Sequence, residues 1–166
     1  MRAVDNVLTG VIRSFAAVAG LILAAIVTVL VINVATRLVA GVNIHGMVDG
    51  IEHGLMAATF LAAPWVLMKN AHVSVDLVPR ALGQVGRRRL SLLTDLFGAA
   101  LSLVLCWASA QALGMSFARR AVTRGVLDIP EWLLLAAPVV GSALLAAEFL
   151  RRALRRRGGD LGLVGL

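Results

Sequence analysis

Four long stretches without charge dominate the pattern of polar and apolar positions along this chain of 166 residues. They cover residues 14–36, 54–68, 96–118 and 132–147. An α-helix rises about 1.5 Å per residue, so the first and third stretches each span a hydrocarbon core of about 30 Å. The other two gain length from flanks in which charges are sparse. The pattern predicts an all-α integral membrane protein with four transmembrane helices.

The charged residues between these stretches set the predicted boundaries within a single membrane domain, residues 1–166. Residues 1–13 are polar enough to form a short arm before the first helix. Residues 70–89 alternate charged and aliphatic side chains, which is typical of a short amphipathic segment lying in the membrane interface. The tail, residues 151–166, has five arginines and then a glycine-rich end, so we expect it to be flexible. The four helices are predicted at about residues 14–37, 48–69, 90–118 and 130–150.

Composition strengthens the membrane interpretation. Hydrophobic residues make up 60% of the chain and charged residues only 15%, against roughly 25% charged residues in soluble domains. The net charge of +7 does not indicate nucleic-acid binding, because the arginines flank apolar spans and are not interleaved with aromatic residues. The lone cysteine, Cys106, excludes a disulfide within the chain and a cysteine metal cluster.

The distribution of lysine and arginine predicts the orientation. Four spans put both termini on one side of the membrane. Twelve basic residues lie on that side: Arg2, Arg13, Lys69, Arg80, Arg87, Arg88, Arg89, Arg151, Arg152, Arg155, Arg156 and Arg157. Four lie on the other: Arg37, Arg119, Arg120 and Arg124. The excess of positive charge predicts that both termini and the connector between helices 2 and 3 are cytoplasmic.

No catalytic or cofactor site is predicted. The chain has no Walker, GxSxG or HExxH motif, so we expect no enzyme activity. His45, His53 and His72 do not form a pair at one depth on facing helices, as a haem with two axial histidines requires. We therefore expect no haem and no metal site.

Three further groups of residues are candidates for structural or interface roles. Asp49, Glu52 and Asp95 are the acids closest to lipid, and an ion pair of Asp49 with Arg37 is favoured over a proton relay. Arg87, Arg88 and Arg89 are suited to lipid headgroups. A row of small residues spaced four apart predicts a closely packed face of helix 3: Gly98, Ser102, Cys106, Ala110 and Gly114. The spacing does not tell whether the neighbour belongs to this chain.

Three motifs in order carry a resemblance to a known family. The first is Arg37 standing twelve residues before Asp49, and the second is the sequence AHVSVDL at residues 71–77. The third is the sequence IPEW at residues 129–132, followed by Pro138 and Gly141. Over residues 37–152 the chain resembles the small, DctQ-type membrane subunit of tripartite ATP-independent periplasmic (TRAP) transporters.

The resemblance implies a scaffold role in transport and no substrate site in this chain. In such systems a large DctM-type subunit binds substrate and sodium and moves its transport domain like an elevator. A periplasmic DctP-type protein delivers an organic acid, and an ion gradient drives its import. The small subunit then braces the large one in the bacterial inner membrane, among phospholipids and without a cofactor.

Two groups of residues acquire expected roles from this resemblance. We expect His72, Val75 and Asp76 to order the cytoplasmic connector. We expect the outer-face arginines Arg119, Arg120 and Arg124, with Asp49 and Glu52, to lie near the docking surface of the binding protein. Two alternatives stay open: a membrane-anchor cytochrome subunit that binds haem, and a small exporter that works without other subunits.

Overall fold

The structure, a computed structural model, describes residues 2–41, 47–69, 84–122 and 130–161. Over these residues the chain forms four α-helices that are all long and apolar enough to cross a membrane. They are α1 (Arg2–Ala40), α2 (Met47–Met68), α3 (Gln84–Arg119) and α4 (Glu131–Leu161). The all-α, four-span layout predicted from the sequence is therefore confirmed.

Three helix ends differ from the predictions. Residues 2–13, predicted as a polar arm, are the first turns of α1, and residues 151–161, predicted as a flexible tail, continue α4. Helix α3 begins at Gln84, not near residue 90. The physical reason is that charges mark the edge of the hydrocarbon layer, whereas the backbone hydrogen bonds of a helix continue beyond it. These extensions are also packed, because Ile12 and Ala153 are both buried.

The connector between α2 and α3 is only partly described. Residues 70–83 of the predicted interfacial segment, with His72 and Asp76, lie outside the described residues. Residues 84–89 are helical and form the start of α3, where Arg89 is exposed. The amphipathic segment thus stays a prediction, as do the roles of His72 and Asp76.

The helices pack in the order α1, α2, α4, α3, so that α2 and α4 are central and α1 and α3 are the flanks. A small core joins α1 to α2 through Ala19, Ala58 and Leu61, with Val140 of α4 packed against them. The flanking helices expose large apolar side chains along most of their length, as expected for surfaces that face lipid or another membrane subunit.

Two glycines set how closely α4 approaches its neighbours. A Cβ atom built on Gly141 would lie 2.4 Å from the backbone oxygen of Phe60, so only glycine permits this crossing of α2 and α4. A Cβ atom on Gly98 would lie 2.6 Å from the ring of Phe149, at the crossing of α3 and α4. Pro64 and Pro138 lie inside α2 and α4 and are both buried.

Candidate functional site

A buried carboxylate lies in the second half of α4, where no candidate was predicted from the sequence. Glu148 is only 2% exposed. Its Oε2 atom lies 2.7 Å from Nη2 of Arg151, which also donates a hydrogen bond of 2.9 Å to Oε1. Nε of Arg152 lies 3.6 Å from Oε1. Burying a charge without a partner is costly, so these two arginines are needed to stabilise a buried carboxylate here.

The same arginine joins the second half of α4 to the first turns of α1. Arg151 donates a hydrogen bond of 2.9 Å from Nη1 to Oγ1 of Thr9, and Nη1 lies 3.8 Å from Oδ1 of Asp5. Arg155 donates from Nη2 to Oδ2 of Asp5 at 2.9 Å. We call Asp5, Thr9, Glu148, Arg151, Arg152 and Arg155 the terminal cluster. It fixes the two ends of the described chain to one another.

The spacing of Glu148 three and four residues before two arginines was a readable signal for part of this cluster. On a helix those positions share one face, so an intrahelical ion pair follows from the sequence. The contact with Asp5 and Thr9 is different, because it joins residues about 140 positions apart and depends on the packing of the helices. Neither contact follows from the predicted polar arm and flexible tail, because both are made by helical residues at the charged ends of the chain.

At the opposite end, α3 finishes in a tight cap. Arg120 has a φ of 48°, in the left-handed region that favours glycine. Its N–H donates to the oxygen of Phe117 at 3.2 Å, and the N–H of Ala121 donates to the oxygen of Ser116 at 3.1 Å. These two bonds form a Schellman motif, which satisfies carbonyls at the end of the helix.

The start of α4 is fastened to this cap. The Ser116 hydroxyl donates to Oε2 of Glu131 at 3.1 Å, and Glu131 N–H donates to the oxygen of Ala121 at 3.1 Å. The rings of Phe117 and Trp132 meet edge to face with centroids 6.2 Å apart. The result is a fixed platform on which Arg119 and Arg120 are exposed. Arg124, the third predicted docking arginine, lies outside the described residues.

The other predicted candidates at this end lie on α1 and α2. Arg37 is exposed in the last turn of α1, and its carbonyl accepts a hydrogen bond of 3.1 Å from Gly41. Asp49 is half-buried in the first turn of α2, where its carbonyl accepts a hydrogen bond from Nδ1 of His53, and Glu52 is exposed. The ion pair between Arg37 and Asp49 stays a prediction.

The row of small residues on α3 divides into two parts. Gly98 packs against the ring of Phe149. Ser102 is buried, and its hydroxyl donates to the oxygen of Gly98 at 2.7 Å. The Sγ atom of Cys106 lies 3.8 Å from the oxygen of Val139. These three face α4 of the same chain. Ala110 is exposed, and a Cβ atom on Gly114 would meet no atom within 4 Å. The part of the row toward the C-terminal end of α3 is therefore open.

Asp95 and the histidines are the last of the residues that the sequence singled out. Asp95, predicted to lie close to lipid, is buried near the start of α3. Among the described residues, no group of three or more histidine, cysteine, aspartate or glutamate side chains is arranged to hold a metal. His45 and His72 lie outside the described residues, so the haem alternative is not tested by their positions.

Four helices that are each long and apolar enough to cross a membrane define a multi-pass membrane protein. Residues 26–158 match the family model described as "Tripartite ATP-independent periplasmic transporters, DctQ component", and the chain belongs to this family. It is thus the small membrane subunit of a TRAP transporter, and the family is one of transporter components and not of enzymes. Neither curated proteins nor solved structures give a significant match.

Membership confirms the resemblance carried by the three sequence motifs. It also implies that the chain associates with a large membrane subunit and a periplasmic binding protein.

Proposed function

We propose that this chain is a rigid scaffold that braces the large, DctM-type subunit of the transporter in the bacterial inner membrane, with both termini in the cytoplasm. The large subunit moves an organic acid that a DctP-type binding protein delivers, and an ion gradient drives the import. Substrate and coupling ion bind to the large subunit. The small subunit contributes a fixed surface against which the moving domain slides.

The crossing of α2 and α4 is the observation that carries this proposal. Gly141 brings the backbones so close that the helices interlock at Phe60. Packed interfaces of this kind resist gradual sliding, because any displacement drives atoms into overlap. The terminal cluster adds a second constraint, since Arg151 and Arg155 bind α1 to α4. A subunit held at both places is suited to remain one body while its partner moves.

A covalent cross-link tests this rigidity. Asp5→Cys and Arg155→Cys are introduced into a Cys106→Ser background and joined by a short bismaleimide, since the two native side chains are within 2.9 Å. The complex of small and large subunits is then reconstituted into liposomes, and uptake is measured with its binding protein. The scaffold proposal expects equal uptake before and after cross-linking.

The uncross-linked double variant is the matched control, because it has also lost the native ion pair. A loss of uptake that appears only after cross-linking means that α1 and α4 separate during transport. That outcome contradicts a rigid scaffold. The family assignment would survive it, because the assignment depends on the sequence match.

We also propose that the outer platform contacts the periplasmic binding protein through Arg119 and Arg120, with Arg124, Asp49 and Glu52 nearby. Both described arginines are exposed, and the platform is fixed by the Ser116–Glu131 bond. Arg120 occupies a backbone conformation that glycine adopts at lower energy. A strained charged residue in place of glycine is typical of a functional position.

Charge reversal tests the docking surface. Arg119→Glu with Arg120→Glu is expected to weaken binding of the binding protein about ten-fold or more at low salt, mainly through slower association. Arg89→Glu is the matched control, because Arg89 is exposed at the other end of α3 and lies across the membrane. Equal affinity in the double variant and the wild type would contradict this surface.

A further inference from the structure

A groove runs along the contact of α1 with α2. Its volume is about 410 Å³, and its walls are largely apolar. Small residues make the α1 wall shallow, while Trp65 and Val66 form the α2 wall. The residues that line the groove are Arg13, Ala16, Ala17, Ala19, Gly20, Leu23, Ala62, Trp65 and Val66.

The mouth of the groove is positively charged. Arg13 lies at its end and is exposed, and no carboxylate in the described part of the chain pairs with it. Lys69, at the same end, is exposed, and its Nζ lies 6.0 Å above the Trp65 ring. An apolar groove that is lined at one end by an arginine is complementary to an amphiphile with an anionic head and a hydrocarbon tail.

The dimensions favour a lipid tail over a helix of another protein. From Arg13 to Leu23 the groove follows ten residues of α1, about 15 Å, which is half of the hydrocarbon thickness of about 30 Å. Its volume is at the lower end of the range for small-molecule sites, about 300–1,000 Å³. A helix with its side chains is about 10 Å wide and needs a broader surface.

We propose that this groove binds an anionic phospholipid, with one acyl chain against Gly20 and Trp65 and the phosphate on Arg13. The site depends only on the helices spanning a bilayer and not on the scaffold role. Bound there, the lipid fills the space between α1 and α2 near the membrane surface. An arginine near an anionic surface gives a preference of about five-fold over a zwitterionic lipid.

Quenching of Trp65 fluorescence by brominated phospholipids measures this binding directly. Trp107→Phe and Trp132→Phe remove the other two tryptophans, leaving Trp65, which is 37% exposed, as the reporter. The full chain is reconstituted in bilayers of brominated phosphatidylglycerol or brominated phosphatidylcholine. We expect phosphatidylglycerol to quench with about five-fold higher affinity.

Two glycines supply a matched pair of variants for the tail site. A Cβ atom meets nothing within 4 Å at either Gly20 or Gly10, so both accept a side chain without disturbing the helices. Gly20→Leu fills the groove and is expected to abolish the difference between the two lipids. Gly10→Leu adds the same side chain to α1 outside the groove and is expected to retain the difference. Equal behaviour of the two variants overturns the proposal.

A second pair tests the headgroup. Arg13→Gln is expected to reduce the five-fold preference to about one while phosphatidylcholine quenching stays unchanged. Arg119→Gln removes the same charge from an exposed position in the last turn of α3, outside the groove, and is expected to retain the preference. A preference that survives Arg13→Gln overturns the headgroup assignment.

Two further measurements separate the sources of the signal. Added inorganic phosphate is expected to leave the quenching unchanged, and relief of the preference by phosphate would mean an anion site without a lipid tail. Addition of the large subunit is expected to leave Trp65 accessible to brominated lipid. Full protection of Trp65 by that subunit would mean that a partner helix occupies the groove, which contradicts the proposal.

Discussion

The crossing of α2 and α4 predicts that Gly141→Ala is the most damaging single-methyl substitution among the described residues. The added Cβ atom would lie 2.4 Å from the oxygen of Phe60, 2.7 Å from its carbonyl carbon and 2.8 Å from its Cβ atom. The nearest obstacles are backbone atoms, which no change of rotamer can remove. The two helices must therefore separate along the whole interface to admit one methyl group.

The magnitude follows from two opposing terms. Overpacking a close interface costs about 1–3 kcal/mol, and a clash with backbone is at the upper end. Alanine is the better helix former by about 1 kcal/mol, which offsets part of that loss. We expect a net loss of about 2 kcal/mol in the free energy of unfolding, or about 4–8 °C in Tm for a chain of this size.

Cys106 provides the assay. It is the one cysteine of the chain, it is half-buried, and its Sγ atom lies 3.8 Å from the oxygen of Val139. A maleimide that becomes fluorescent on reaction with a thiol reports the temperature at which α3 leaves α4. The melting of purified wild type and variants is compared in one detergent.

Gly20→Ala and Gly114→Ala are the controls, because a Cβ atom at either position meets nothing within 4 Å. These variants gain helix propensity without a clash, so their Tm is expected to equal or exceed that of the wild type. If Gly141→Ala melts together with these controls, the close approach of α2 to α4 is not a constraint and the core is not rigid.

Three further predictions use the same melting assay. In Gly98→Ala the new Cβ atom would contact the end of the Phe149 ring, which can rotate away. We therefore expect the free energy of unfolding to fall by only about 1 kcal/mol. A loss as large as that of Gly141→Ala would contradict this expectation. Glu148→Gln removes the buried charge that binds Arg151 and is expected to lower the free energy of unfolding by about 2–3 kcal/mol. An unchanged Tm would mean that the terminal cluster does not stabilise the packing of α4. Arg120→Gly relieves the left-handed backbone and is expected to add about 1 kcal/mol while weakening the binding protein's affinity; a lower Tm would refute the strain.

The parts of the fold that the sequence predicted are those controlled by single stretches of residues. The bounds of α2 differ from the prediction by only one residue at each end. The prediction came this close because charged or polar residues flank both ends of that helix. The C-terminal ends of α1 and α3 were predicted within a few residues for the same reason. The family followed from short motifs whose order and spacing are properties of the sequence itself.

The parts that it missed depend on contacts between distant residues. The helical extension of α4 is held by Asp5 and Thr9, about 140 positions earlier, which no local pattern reveals. The division of the small-residue row between a packed part at Gly98 and an open part at Gly114 depends on where α4 crosses α3. The groove beside Gly20 likewise exists only because α2 lies against α1.

Reconstitution of the subunits separately and together tests the scaffold role most directly. Three sets of liposomes receive the small subunit alone, the large subunit alone, or both, and uptake of the organic acid is measured with the binding protein and an ion gradient. We predict uptake only when both subunits are present. Uptake by the small subunit alone would contradict the account, because this chain would then itself carry the transport pathway.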